Sequence, residues 1–62
     1  MTATEAINLL NPRTNPKARE RIMERYDDPV TGIAEYNRAM REALMMAVRA
    51  LERWRAWEDD GR

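Results

Sequence analysis

The chain has 62 residues, 35% of them charged, and its 11 basic and 11 acidic side chains give a formal net charge of zero. It contains no histidine, cysteine, serine, glutamine or phenylalanine, so it lacks the usual ligands of zinc, haem and iron–sulfur sites and the commonest nucleophilic and acid–base groups. We therefore expect no metal, no cofactor and no enzymatic activity.

Length limits the organisation of the chain. Residues 1–62 are expected to form a single small helical domain, and a domain of this size buries only about 60% of the surface of its unfolded chain. No run approaches ~18 consecutive apolar residues, so we expect no membrane span. The first residues lack the basic and apolar regions of a signal peptide. A cytoplasmic location is the default expectation.

The first predicted helix covers residues 3–10. Thr2 and Glu5 have the spacing of a capping box, in which each side chain accepts a hydrogen bond from the backbone N–H of the other residue. The segment ends before Pro12, because the residue that precedes a proline is biased away from helix. The apolar residues have one-face spacing and are Ala3, Ala6, Ile7 and Leu10.

Two further helices are predicted, each beginning at a proline that follows a capping residue. In the second, over residues 16–26, Asn15 is the predicted N-cap and Pro16 takes the first helical position, where its missing N–H costs nothing. In the third, over residues 29–58, Asp28 and Pro29 have the same two roles. No strand pattern is present, so the sequence predicts an all-α fold of two short N-terminal helices packed on one long C-terminal helix.

The third helix carries more apolar surface than a one-sided helix needs. On a helical projection centred on Leu44, the residues within about 60° are Ile33, Met40, Ala47, Val48 and Leu51. Other apolar residues widen the arc to about 200°, against the ~100° of a one-sided surface helix. The long helix spans about 40 Å and the short ones about 12 and 16 Å, so we expect them to cover one flank only.

We predict that a second chain covers the remaining flank, most simply as a helical homodimer. Heptad spacing, typical of left-handed helix pairs, relates Ile33, Met40, Ala47 and Trp54, and also Tyr36, Ala43, Ala50 and Trp57. The short helices are not expected to close the alanine side, which is formed by Ala39, Ala43, Ala47 and Ala50. The predicted self-association residues are Tyr36, Met40, Ala43, Ala47 and Ala50. The alternative is an intramolecular three-helix core with small residues at tight crossings.

The strongest candidate for binding another protein lies near the end of the third helix. Its predicted residues are Arg53, Trp54, Arg55 and Trp57. Tryptophan and arginine are enriched at binding hot spots, and arginine over an indole adds a cation–π attraction. Core packing is the competing role for Trp54, which lies closer to the middle of the apolar arc than Trp57.

Charge alternates in blocks along the chain. Residues 13–25 and 38–55 each carry +3, whereas residues 26–36 and 58–60 each carry −3. Such blocks suit antiparallel or head-to-tail docking of two copies, because a basic stretch then meets an acidic one. The alternative is a solvated charged face with local ion pairs along each helix.

We interpret the protein as a non-catalytic protein–protein interaction module, a small regulator, inhibitor or adaptor that binds a larger protein through its long helix. The alternatives are a small helical DNA-binding transcriptional regulator and an accessory structural subunit of an enzyme complex. The basic residues 13–25 favour DNA binding, but Glu20 and Glu24 dilute them. A recognition helix reads DNA with its N-terminal turns, and here Asp27 and Asp28 precede those turns. We therefore do not expect nucleic-acid binding.

Overall fold

The computed structural model describes residues 1–60 and contains three helices. They are α1 over Ala3–Leu10, α2 over Asn15–Glu24 and α3 over Pro29–Asp60. Residues 61 and 62 of the predicted domain lie outside the described residues. No strand occurs among residues 1–60, and both short helices contact α3. The all-α architecture of two short helices packed on one long C-terminal helix is therefore confirmed.

Side-chain caps fix where α1 and α3 begin. The Thr2 hydroxyl accepts from the Glu5 N–H at 3.2 Å and the Glu5 carboxylate accepts from the Thr2 N–H at 2.9 Å, so the predicted capping box is present. The Asp28 carboxylate accepts from the Thr31 hydroxyl at 2.9 Å and from the Val30 N–H at 3.2 Å. Hydrogen bonds to the charged form lower the pKa of both carboxyls, mainly from the Thr2 backbone to Glu5 and from the Thr31 side chain to Asp28.

α2 differs from its sequence prediction at both ends. It ends at Glu24 rather than at residue 26, and its N-cap is Thr14, which makes no side-chain capping hydrogen bond. Asn15, the predicted N-cap, donates from its side-chain amide to the Leu9 carbonyl at 2.6 Å and to the Tyr36 hydroxyl at 2.9 Å. Leu9 carries one of the four carbonyls that the end of α1 leaves unpaired. The amide therefore joins the end of α1 to α3 instead of capping its own helix.

The buried core is small and lies where α1 crosses α3. Ala43 has no exposed surface, and Ala6 and Leu9 of α1 are each 4% exposed. The half-buried residues packed around them are Leu10, Ala18, Ile22, Tyr36, Ala39, Met40 and Met46. Because the central residue on α3 is an alanine, the two helix backbones can approach closely.

α2 is attached to α3 by side-chain contacts, and none of its residues is fully buried. A Cβ added at Gly32 of α3 would lie 3.1 Å from the Met23 sulfur of α2, so the glycine leaves room for that methionine. The guanidinium carbon of Arg19 lies 5.5 Å from the centroid of the Tyr36 ring, a cation–π contact between the same two helices.

The structure corrects the prediction of which flank of α3 the short helices cover. The sequence pattern predicts that the alanine side stays open, but Ala43 is fully buried beneath α1 and Ala39 packs against the same core. Small side chains let a short helix come close and gain contact there. Of the predicted self-association residues, Tyr36, Met40 and Ala43 therefore pack within one chain. Ala47 is half-buried and Ala50 is exposed.

The remainder of α3 extends beyond the packed region. With 32 residues, α3 is about 48 Å long, whereas α1 and α2 are about 12 and 15 Å. The molecule measures 52 × 19 × 15 Å, and its radius of gyration is 14.5 Å against about 11 Å for a compact chain of this length. We call α1, α2 and residues 29–47 of α3 the headpiece, and residues 48–60 the arm. None of the three helices is long and apolar enough to cross a membrane within residues 1–60.

Ala43→Leu tests the tight helix crossing. The added side chain has no space under α1, so we expect the free energy of unfolding to fall by about 1–3 kcal/mol. Ala50→Leu is the matched control, because Ala50 is exposed on the same helix, and its effect should stay within about 0.5 kcal/mol. Urea unfolding followed by circular dichroism measures both, and equal effects would contradict the crossing.

Candidate protein-binding surface

The arm exposes large apolar side chains that nothing in the same chain covers. Residues 48–57 are all exposed. Among them, Trp54 is 60% exposed and Trp57 is 64% exposed. Scattered exposed apolar residues are ordinary, but a contiguous exposed apolar patch marks an interaction site. The arm is therefore the part of the fold most suited to binding.

The two tryptophans form one aromatic surface. Their ring centroids are 5.3 Å apart and the ring planes are inclined at 41°, because residues three apart lie on the same side of a helix. Trp54 is exposed, so it does not take the competing role of core packing within the chain. Both indoles therefore remain available as anchors for a partner.

Arg53 and Arg55 flank this aromatic surface. Each lies one position from Trp54, and so about 100° around the helix from it, on opposite sides. All four predicted partner-binding residues therefore lie on the arm, with Arg53 about 40° and Arg55 about 160° around the helix from Trp57. The sequence suggested a cation–π contact between an arginine and an indole of the arm. Within residues 1–60, the cation–π contact in the structure joins Arg19 and Tyr36 of the headpiece.

A second apolar surface, which we call the open stripe, consists of Ile33, Leu44, Val48 and Leu51. These side chains are 46%, 50%, 47% and 67% exposed in that order, and they lie within about 60° of one another around α3. The centre of the stripe is about 100° from Ala43, which explains why helices packed over that alanine leave it uncovered.

The sequence pattern placed the open stripe at the centre of the apolar arc. Three of the five predicted self-association residues, Tyr36, Ala43 and Ala50, lie about 80–120° from Leu44, towards the alanine side. A helical projection gives the direction of each side chain but not the position of the helices that pack against it. The available signal was side-chain size: alanine is typical of close helix crossings, so the larger Leu44, Val48 and Leu51 were the better candidates for an open surface.

Charged side chains lie beside both of these surfaces. Within residues 1–60, an ion pair joins the N-terminal ammonium to Glu42 at 3.8 Å. Arg41 and Arg55 lie along the open stripe, about 60° and 20° from Leu44 on the helical projection. A partner that covers the stripe would meet these two cations.

The headpiece also carries a groove of about 320 Å³ among its three helices. Its lining includes Glu5, Arg21, Arg25 and Glu35, so both signs of charge surround the opening. Such a lining offers no consistent field for a charged small ligand. The arm and the open stripe are the better candidates for a binding site.

Comparison with known proteins gives no match: no protein-family model, no curated protein and no solved structure is similar enough to this chain to count as a relative.

Trp54→Ala and Trp57→Ala, made separately, test whether the indoles support the fold. Because both are exposed on the arm, we expect each to lower the free energy of unfolding by less than about 1 kcal/mol, the size of an aromatic pair contact. Leu9→Ala is the contrasting variant, since a buried leucine truncated to alanine costs about 2–5 kcal/mol. Thermal unfolding measures all three, and a loss at either tryptophan as large as that at Leu9 would place the indole in a core.

Proposed function

We propose that this protein is a non-catalytic protein–protein interaction module, a small regulator, inhibitor or adaptor that binds a larger protein through its long helix. The observation that supports this function is the exposed pair of Trp54 and Trp57 on the arm, in contact with each other and away from the core. Burying the exposed parts of two indoles removes on the order of 300 Å² of mostly apolar area. This is worth roughly 7 kcal/mol before the costs of association.

The four arm residues have different roles in this proposal. Trp54 and Trp57 are the anchors that enter an apolar pocket of the partner, where well-packed aromatic side chains carry most of the binding energy. Arg53 and Arg55 donate hydrogen bonds from the rim, where guanidinium groups pair best with carboxylates. The expected partner surface is an apolar pocket with acidic residues around it.

We also propose that the chain forms a homodimer through α3, with the open stripe in the interface. The accessible surface of one chain is 5345 Å², whereas a compact monomer of its 7.3 kDa is expected to expose about 4,200 Å². The excess of about 1,100 Å² is larger than the ~800 Å² that each partner contributes to a standard interface. Trp57 lies about 140° from the centre of the stripe, so a dimer through the stripe leaves it open to a different protein.

Affinity capture from the native host tests the interaction function. We expect the tagged protein to retain a larger polypeptide, and Trp57→Ala or Arg55→Ala to weaken that binding about thirtyfold, the usual cost of losing a hot-spot anchor. Val30→Ala is the matched control, because Val30 is exposed on α3 at the opposite end from the arm.

Binding constants measured with the captured protein and each variant decide the outcome. Equal affinity for Trp57→Ala and the wild type would contradict the arm as the docking site. Activity of the captured protein with and without this chain then separates the roles, since an inhibitor lowers it and an adaptor links it to a further component.

Sedimentation across micromolar concentrations tests the homodimer. We expect a mass of twice one chain for the wild type and a single-chain mass for Leu51→Asp, because a buried unpaired carboxylate opposes association. Met45→Asp is the matched control, since Met45 is exposed on α3 about 100° from the open stripe. A wild type that stays monomeric would contradict the homodimer.

A further inference from the structure

We infer that the open stripe is covered by the same stripe of a second copy running antiparallel, with Val48 opposite Leu51 of the partner copy and Arg41 beside the partner's Asp59. This inference rests on the proposed homodimer and assigns its orientation, its register and its charged contacts.

The length of the arm is the first support for this arrangement. With Val48 opposite Leu51, the two α3 helices overlap over residues 39–60, about 33 Å. Each headpiece then lies at one end of the pair, and each arm lies along the α3 helix of the other chain. Because the two-fold axis of such a pair is perpendicular to both helices, the contact is self-complementary and closes as a dimer.

The headpiece leaves room for a second helix. α1 and α2 cover the side of α3 on which Ala43 lies, and that side is about 100° from the open stripe. A partner helix on the stripe therefore packs beside the headpiece. At the centre of the pair, symmetry gives two equivalent contacts between Val48 of one copy and Leu51 of the other.

Charge selects the antiparallel orientation over the parallel one. In a parallel pair the same levels of the two helices lie side by side, so the segments that carry Arg38 and Arg41 lie together, and so do the acidic ends of both arms. Like charges placed together in this way oppose association. In the antiparallel register, the segment of one chain that carries Arg38 and Arg41 lies beside the acidic end of the other chain's arm.

Arg41 and Asp59 are well placed for this contact. Both are exposed, and both lie about 60° from Leu44 on the same side of the stripe. A two-fold axis perpendicular to the helices keeps both residues on the same face of the pair, so Arg41 of each chain lies beside Asp59 of the other. Two such ion pairs therefore form in each dimer. Within its own chain Asp59 sits at the negative end of the α3 macrodipole, where a carboxylate is disfavoured. A partner arginine offsets that cost.

Single cysteines test the orientation directly, because the chain contains no cysteine of its own. Val48 and Ile33 are a matched pair, both on the open stripe and 47% and 46% exposed. In the inferred pair, the two copies of residue 48 are offset by about 4.5 Å along the helices, whereas the two copies of residue 33 are about 50 Å apart. We expect mild oxidation to cross-link Val48→Cys into a dimer and to leave Ile33→Cys as single chains.

The outcomes separate this inference from the proposal beneath it. A wild type that sediments as a monomer at every concentration overturns the homodimer and the inference together. A wild-type dimer with rapid cross-linking of Ile33→Cys shows a parallel pair, which overturns the inference and leaves the homodimer standing. A wild-type dimer in which Val48→Cys does not cross-link overturns the register.

Charge exchange tests the contact between Arg41 and Asp59. We expect Arg41→Asp to weaken dimerisation about tenfold, since each dimer loses two ion pairs, and the double variant Arg41→Asp with Asp59→Arg to restore it. Arg53→Asp is the control, because Arg53 lies on the opposite side of α3 from the open stripe, and its dissociation constant should match the wild type. A double variant as weak as Arg41→Asp alone would overturn this contact.

Discussion

The difference in length between α3 and the helices that pack on it governs this structure. Helices shorter than about 12–15 residues are marginal by themselves in water, so α1 with 8 residues and α2 with 10 depend on α3 for their stability. α3 has 32 residues, and the short helices cover only its first half. The packed headpiece and the uncovered arm therefore have one cause, which is that α3 is longer than the region that α1 and α2 can cover.

Side-chain size is distributed in the reverse of the usual pattern. Small domains normally bury their leucines, valines and tryptophans, but here the tightest crossings use Ala43 and Gly32. The largest apolar residues of α3 remain in contact with solvent. Small residues stabilise the headpiece through close backbone approach. The proposed function uses the larger side chains for contacts between molecules, because their burial contributes most to binding.

The two exposed apolar surfaces lie on different sides of α3, and this separation has a consequence for the proposed function. A dimer formed through the open stripe carries two tryptophan pairs, one on each arm. In the antiparallel arrangement these pairs lie about 14–23 Å apart along the helices. A partner that is itself two-fold symmetric, or that repeats its binding pocket, would gain affinity by engaging both sites at once.

The sequence by itself determined the features that depend on neighbouring residues. The capping box of Thr2 and Glu5, the start of α3 after Asp28, the all-α fold and the grouping of tryptophans and arginines on the last turns follow from local spacing. The side of α3 that is buried was decided only by the tertiary structure, because a projection of one helix contains no information on where other helices lie. The same reason applies to Asn15, which in isolation has the chemistry of a cap. Its amide is instead drawn to the unpaired carbonyl of Leu9 and the hydroxyl of Tyr36, which only the folded chain brings within reach.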